Sequence, residues 1–400
     1  MHPQIADAAR GKVELAQVFA RHGAAYQATQ RLAPIQYRAM TAIEACRTER
    51  LGGHIERCDA CERLRYHYHS CRNRHCPKCQ TLAKERWLAA RRAELLPVPY
   101  FHLVFTLPHE LNALAQGNPR VIYALLFEAV SATLIEFGAN PRWLGGNIAA
   151  TLVLHTWGQT LGQHLHLHGL VAGGALGAKG QWIRPRRGFL FPVKALSPVF
   201  RGKFLTGLVR ACDSHAIRFD GSTSALAEPC ERARFVDGLR SKPWVVYAKQ
   251  PFAGPEQVLD YLGRYTHRVA IANNRLLSVT DTEVRFRYKD YAHGNRRKVM
   301  TLDAQEFIRR FLLHVLPSGF MRIRHYGLLA NRAKGVKLAA ARAALDYQPL
   351  STPAKAESVE AFWQRVAALD IHRCAYCKTG RMRVVGPISV PKARAPPQPP

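Results

Sequence analysis

HLHLHGLV, His164 to Val171, alternates imidazole and leucine through its first five residues. Successive side chains of a β-strand point to opposite faces, so His164, His166 and His168 share one side while Leu165 and Leu167 turn to a core. Three imidazoles on one face repel one another when protonated, and a metal ion or a phosphate group organises them. The apolar stretch Thr151 to Trp157 reads as the preceding strand, and Gly158 to Gln163 as the link of an antiparallel pair.

Outward from this pair the pattern is that of an α+β chain. Tyr100 to Phe105 reads as a strand, Val121 to Phe137 as an apolar helix, and Gly173, Gly174, Gly177 and Gly180 as a loop followed by a helix near Phe200 to Ala211. Trp244 to Lys249 predicts a strand and Glu256 to Arg268 a helix. Strands at Arg275 to Thr280 and Glu283 to Tyr288 and a helix at Ala304 to Val315 follow. A histidine strand alone does not name a reaction, since cupin-like oxygenases and metal-dependent hydrolases also use one.

The 400 residues carry 58 Lys and Arg against 28 Asp and Glu, a formal charge of +30. A compact fold under that self-repulsion calls for a polyanionic partner, nucleic acid first. With 48% hydrophobic residues the chain buries a real core, which excludes global disorder. No run of 18 apolar residues occurs, and Met1 to Ala20 lacks the apolar centre of a secretory signal, so a cytosolic location without membrane is expected.

Six of ten cysteines crowd between Cys46 and Cys79. Two Cys-x-x-Cys knuckles, Cys58/Cys61 and Cys76/Cys79, stand 14 residues apart. That is close to a zinc-ribbon spacing, because each knuckle sets two sulfurs on one tight turn. Cys71, His69 and His75 are alternative ligands within the loop. Arg72, Arg74 and Lys78 around the second knuckle are candidate nucleic-acid contacts, as is the basic helix Leu82 to Leu96. Cys374-x-x-Cys377 offers two ligands only, so it reads equally as a half-site or as no site. Pro387 to Pro400 reads as a disordered basic tail.

Tyr261 and Tyr265, four apart on a predicted helix, put two phenols on one face. Tyrosines at that spacing are more often core or rim residues. Here Arg264, His267 and Arg268 make the helix cationic, where a phosphodiester approaches and a phenolate is favoured.

In this order, the cysteine cluster, the histidine strand and the Tyr-x-x-x-Tyr helix resemble the rolling-circle insertion-sequence transposases of the HUH two-tyrosine family. The resemblance spans about Arg38 to Arg332 and includes CRNRHCPKCQ at Cys71 to Gln80, YLGRYTHRVAI at Tyr261 to Ile271 and LPSGFMRIRHYGLLAN at Leu316 to Asn331. It implies an antiparallel, ferredoxin-like nuclease core (97–335) behind a helical and zinc-binding domain (1–96), with a C-terminal extension (336–400). It also implies that His166 and His168 hold catalytic Mg2+ or Mn2+, with His164 a possible third ligand or phosphate contact, and that Tyr261 and Tyr265 are nucleophiles. Cleavage and rejoining of single-stranded DNA at element ends through a 5′-phosphotyrosine, in a bacterial cytoplasm, is the activity implied. Two other readings compete: a zinc-dependent DNA-binding factor with an inert nuclease core, and a metal-dependent hydrolase, which leaves the +30 charge unexplained.

Overall fold

The computed structural model describes residues 13–186, 190–249, 257, 259, 263, 270–291, 293–348 and 357–390, without the side chains of 80–82. Helices α1 (Leu15–Thr29) and α2 (Pro34–Glu44) precede strands β1 (Gly53–Cys58) and β2 (Leu64–Tyr68). Then come α3 (Gln80–Arg92), β3 (Tyr100–Thr106), α4 (Asn112–Gly117), α5 (Pro119–Ala139), β4 (Gly146–Trp157), β5 (Gln163–Gly177) and β6 (Trp182–Ile183). Next are α6 (Val193–Asp213), α7 (Pro229–Ser241), β7 (Val246–Lys249), β8 (Leu276–Val279), β9 (Glu283–Asp290) and β10 (Arg296–Asp303). The last are α8 (Ala304–Leu312), β11 (Ile323–Gly327), α9 (Lys334–Ala343), α10 (Val359–Ala367) and β12 (Met382–Ile388).

Contacts divide the described residues into two compact units, 13 with those of 81–348, and 14–80 with 357–390. The boundaries differ from the three-part division expected from sequence. Most of the C-terminal extension joins the N-terminal cysteine segment, and nearly all of the basic helix α3 belongs to the larger unit.

The larger unit is built on an antiparallel sheet of order β11-β4-β5-β3-β7, with β6 paired to β5. The succession β3, α5, β4, β5, α6, β7 in the order β4-β5-β3-β7 is a ferredoxin-like core, and β11 adds a strand beside β4. Alternation decides its faces. Phe101, Leu103, Phe105, Leu152, Leu154, Leu165 and Leu167 all turn to one side, where they pack with Ile122, Leu126, Phe127, Val130 and Leu134 of α5 and Phe200 and Phe204 of α6. Helix α5 is long and apolar enough to cross a membrane, but most of it is buried in this core, which accounts for its composition.

Three of the four glycines expected to open a loop, Gly173, Gly174 and Gly177, instead extend β5 to Gly177, and Gly180 lies in the turn that follows. Gly174 takes φ +147°, and a side chain there would run into Trp182 of the neighbouring β6. At Gly173 a Cβ would lie 2.7 Å from the Pro99 carbonyl oxygen. The glycines therefore admit neighbouring backbone and side chains rather than end the strand. A second sheet, β10-β9-β8, is backed by α8 through the edge-to-face pair Phe286 and Phe307, 5.8 Å apart. Asp303 caps α8, accepting from the backbone N–H of Gln305 at 2.8 Å and of Glu306 at 3.2 Å.

The smaller unit packs α1 and α2 through Val18, Phe19, Met40 and Ile43, all buried. It also holds a three-stranded sheet of order β12-β1-β2. Pro387 and Ile388, expected in a disordered tail, close β12 against β1, while 391–400 lie outside the described residues.

Candidate functional site

The hairpin of β4 and β5 assembles the histidines. His155 pairs with His166 in register, and Val153 with His168, so His155 joins the imidazole face of β5. A ring nitrogen of each of His155, His166 and His168 lies within 4.8 Å of those of the other two, and all three side chains are buried. His166 Nδ1 lies 2.8 Å from the His164 carbonyl oxygen, which makes Nδ1 the donor and turns the Nε2 lone pair towards the other imidazoles. That Nε2 stands 3.1 Å from His168 Nε2, and His168 Nδ1 is 2.8 Å from His102 Nε2 on β3. Trp157 stacks on His155 with ring centroids 4.6 Å apart.

Burial sets the charge of this group. It pushes the pKa of His166 down to about 3 and that of His102 to about 4, and it drives His168 well below the usual imidazole range with help from neighbouring histidines. His166, His168 and His102 are thereby held neutral at pH 7, the form in which imidazole binds a cation, and with His155 the donor set fits a divalent ion of borderline softness. His164 carries an exposed ring outside this group, and its carbonyl orients His166. The third nitrogen comes from His155, a lone histidine in an apolar strand whose partners appear only once β4 and β5 are in register.

Tyr261, Tyr265, Arg264 and Arg268 lie outside the described residues. Gln257, Leu259 and Gly263 in the same stretch are helical. Leu259 is buried in a cluster with Tyr100 and Leu170, on the sheet face that carries the histidines. A Cβ at Gly263 would lie 2.7 Å from the Leu88 side chain of α3, so the two residues are close neighbours. A cavity of about 730 Å³ in the same unit is lined by Trp87, Arg91, Arg120, Arg324, His325 and Lys334, much of it from the segment Leu316 to Asn331. His325 is tied to the sheet by Thr151 Oγ1 at 2.9 Å and touches Arg91 Nη1 at 2.6 Å.

The single zinc site expected from Cys58, Cys61, Cys76 and Cys79 does not form, because the two knuckles belong to different clusters. Cys76 and Cys79 converge with Cys46 and Cys71, and Cys58 and Cys61 with Cys374 and Cys377. In the first cluster Cys46 and Cys71 stand 3.4 and 3.6 Å from Cys79, sulfur to sulfur. A zinc ion with bonds of about 2.3 Å has tetrahedral edges of about 3.8 Å, whereas a disulfide would need about 2.05 Å. His75 is buried beside Asn73, and neither it nor His69 belongs to the cluster.

The expected nucleic-acid contacts of this unit separate. Arg72 is exposed, Arg74 is half-buried, and Lys78 is held by Glu14 at 2.7 Å. Sequence reading missed β2, where Tyr66 is 46% and Tyr68 38% exposed on one face of the strand, and where Arg57 of β1, opposite Leu64, is exposed as well. Flat rings beside cations are the surface on which single-stranded bases stack.

Comparison with known proteins agrees with both units. The family described as "Transposase zinc-binding domain" matches residues 18–107, and the family described as "Putative transposase" matches 149–337. The chain is 50% identical over 381 residues to "Putative transposase y4qJ" of Sinorhizobium fredii (strain NBRC 101917 / NGR234), covering 94% of this chain and 95% of that protein. It is 29% identical over 307 residues to "Transposase for insertion sequence element IS801" of Pseudomonas savastanoi pv. phaseolicola, covering 76% and 72% respectively. The cysteine clusters fit the zinc that the first family description implies. The chain therefore belongs to the rolling-circle insertion-sequence transposases of the two-tyrosine HUH family and carries that family's zinc-binding domain near its N-terminus.

Proposed function

We propose that this transposase cleaves and rejoins single-stranded DNA at element ends through a 5′-phosphotyrosine formed on Tyr261 or Tyr265. The observation that supports this most is the buried, convergent set His155, His166 and His168 on the sheet face against which Leu259, two residues before Tyr261, packs. In the reaction the phenol oxygen displaces the 3′ oxygen at phosphorus. The P–O3′ bond breaks, and the phenolic proton ends on the released 3′-hydroxyl. One phosphodiester replaces another, so rejoining by the reverse step needs no outside energy. Two tyrosines let one hold an end while the other cleaves.

His166, His168 and His155 would hold a divalent cation, with His164 positioning His166 through its carbonyl oxygen. When bound, such an ion polarises the scissile phosphate and neutralises charge on its oxygens. Three imidazoles suit manganese better than magnesium, which prefers oxygen ligands. Arg264 and Arg268 would meet the phosphodiester, and the cavity bearing Trp87, Arg91 and Arg324 would take up adjacent nucleotides. In the zinc-binding unit Arg72, Arg57, Tyr66 and Tyr68 would contact the element ends, whereas Lys78 serves its ion pair with Glu14. The partners are single-stranded element ends and target DNA, and the place of action is the bacterial cytoplasm.

The test uses end-labelled single strands from both borders of the element with Mn2+ or Mg2+. A denaturant-resistant protein–DNA adduct that survives Tyr261→Phe and Tyr265→Phe singly and disappears in the double variant is the expected result. Strands cut to a free 5′-phosphate without an adduct would show water, not tyrosine, to be the nucleophile. Tight binding without cleavage under either metal would support an inert binding factor.

A further inference from the structure

We infer that the chain holds a second structural zinc ion, bound by Cys58 and Cys61 near the N-terminus and by Cys374 and Cys377 in a C-terminal segment beyond both family matches. The four sulfurs lie within 4.8 Å of one another. Cys58 and Cys377 are 3.7 Å apart, as are Cys61 and Cys374, which is the edge of a zinc–thiolate tetrahedron. Both distances are far too long for a disulfide.

The two halves are built alike. Glu62 donates its backbone N–H to the Cys58 carbonyl at 3.1 Å, and Lys378 does the same to Cys374 at 3.1 Å. The residue after each second cysteine is left-handed, Glu62 at φ +59° and Lys378 at φ +60°. The first cysteine of each pair donates its own N–H to the returning chain, Cys58 to Arg63 at 3.0 Å and Cys374 to Gly380 at 2.9 Å. Backbone N–H groups also point at sulfur. Ala60 and Cys61 each reach Cys58 Sγ at 3.5 Å, and Gly380 reaches Cys377 Sγ at 3.3 Å. Such donors stabilise a thiolate and orient it towards an ion. The halves also approach closely at Gly380, where a Cβ would collide with Cys58 Sγ and Ala60.

The segment around the second knuckle is docked independently of the sulfurs. Strand β12 pairs with β1 from Gly53 opposite Ile388 to Cys58 opposite Met382. Asp59 accepts the Arg381 N–H at 2.7 Å through its side chain and donates its own N–H to the Arg381 carbonyl at 3.0 Å. Cys61 and Cys374 are 313 residues apart in sequence. The entropy of closing so long a loop grows only logarithmically with length, and binding of an ion by four thiolates readily offsets it. On the DNA-binding reading given above, recognition of element ends would then require the C-terminal segment, since β1 is a central strand only when β12 is in place.

The test counts metals in the full-length chain carrying His166→Ala and His168→Ala, so that the histidine site contributes none. Two zinc ions per chain are expected, falling to one with Cys374→Ser/Cys377→Ser and to one with Cys71→Ser/Cys79→Ser. In the cobalt-substituted protein each pair of serines should remove half of the thiolate-to-cobalt charge-transfer absorbance, a signal that imidazole ligands do not give. If the first serine pair prevents folding, Cys377→His retains four ligands and should keep two ions while altering the cobalt spectrum. One zinc per chain, unchanged by the Cys374 and Cys377 substitutions, would overturn the inference. So would an unaltered cobalt spectrum in Cys377→His, or iron in the second site.

Discussion

His155 and His166 face each other across β4 and β5, paired in register with their rings 5.3 Å apart, so the third imidazole of the buried convergent group comes from the neighbouring strand and not from His164. On the proposed mechanism His155→Ala should therefore lower metal-dependent cleavage by at least about 100-fold, and His166→Ala should do the same, since loss of even an outer-shell partner of a metal commonly costs 10- to 100-fold. His164→Ala leaves the orienting carbonyl in place and should cost much less. Cleavage rates at saturating and limiting Mn2+ distinguish the two, because only the His155 variant should need more metal.

Acid should unfold the larger unit through histidines outside that group. His314 is fully buried, with Nε2 3.0 Å from the Leu161 carbonyl and Nδ1 3.1 Å from Thr156 Oγ1, and burial pushes its pKa down to about 4. His325 is also pushed down to about 4, by burial first and then by Arg91 and Lys334. Unfolded histidine titrates near 6.5, so between about pH 6.5 and pH 4 the unfolded chain binds protons that the folded chain refuses. The stability is intact above pH 6.5 and is lost as pH falls through that window, by roughly 3 kcal/mol for His314 alone. Urea melts at several pH values should show this slope, and His314→Gln should flatten it.

Gly327 of β11 has φ +65°, and a Cβ there would collide with the Ile148 carbonyl oxygen. Gly327→Ala adds both strain and a backbone clash and should cost at least about 3 kcal/mol in thermal or urea unfolding. Leu167→Ala, which opens a cavity in the opposite face of the sheet, should cost about 2 to 5 kcal/mol.

In the zinc-binding unit, Tyr66→Ala and Tyr68→Ala should each weaken binding of single-stranded element ends by about 1 to 3 kcal/mol, without a change in salt dependence. Arg72→Ala should reduce the salt slope of binding by about one unit. Fluorescence anisotropy across a salt series separates stacking from charge. If neither tyrosine matters, β2 is not the DNA face.

Sequence disclosed the parts of the molecule whose chemistry is local. Alternation in His164 to His168 placed Leu165 and Leu167 in the core and the imidazoles on the other side, and the link at Gly158 to Gln163 marked the hairpin with β4. The contribution of His155 depends on register between strands, which one strand cannot reveal. Zinc-ribbon spacing matched Cys58/Cys61 to the nearest knuckle in sequence, whereas their partners in space lie more than 300 residues away. Strand β10, from Arg296 to Asp303, was missed because it is mostly exposed and shows no alternation of apolar residues. Pro387 concealed β12, since proline is tolerated on an edge strand that composition alone reads as tail.

The most direct measurement is to digest the protein–DNA adduct formed with a border strand and Mn2+ and to locate the nucleotide-bearing residue by mass spectrometry. A 5′-linked nucleotide on the peptide containing Tyr261 and Tyr265, moving wholly to the remaining tyrosine when either is changed to phenylalanine, is the predicted result. A nucleotide attached to any other residue, or strand cleavage with no attached nucleotide, would contradict tyrosyl transfer.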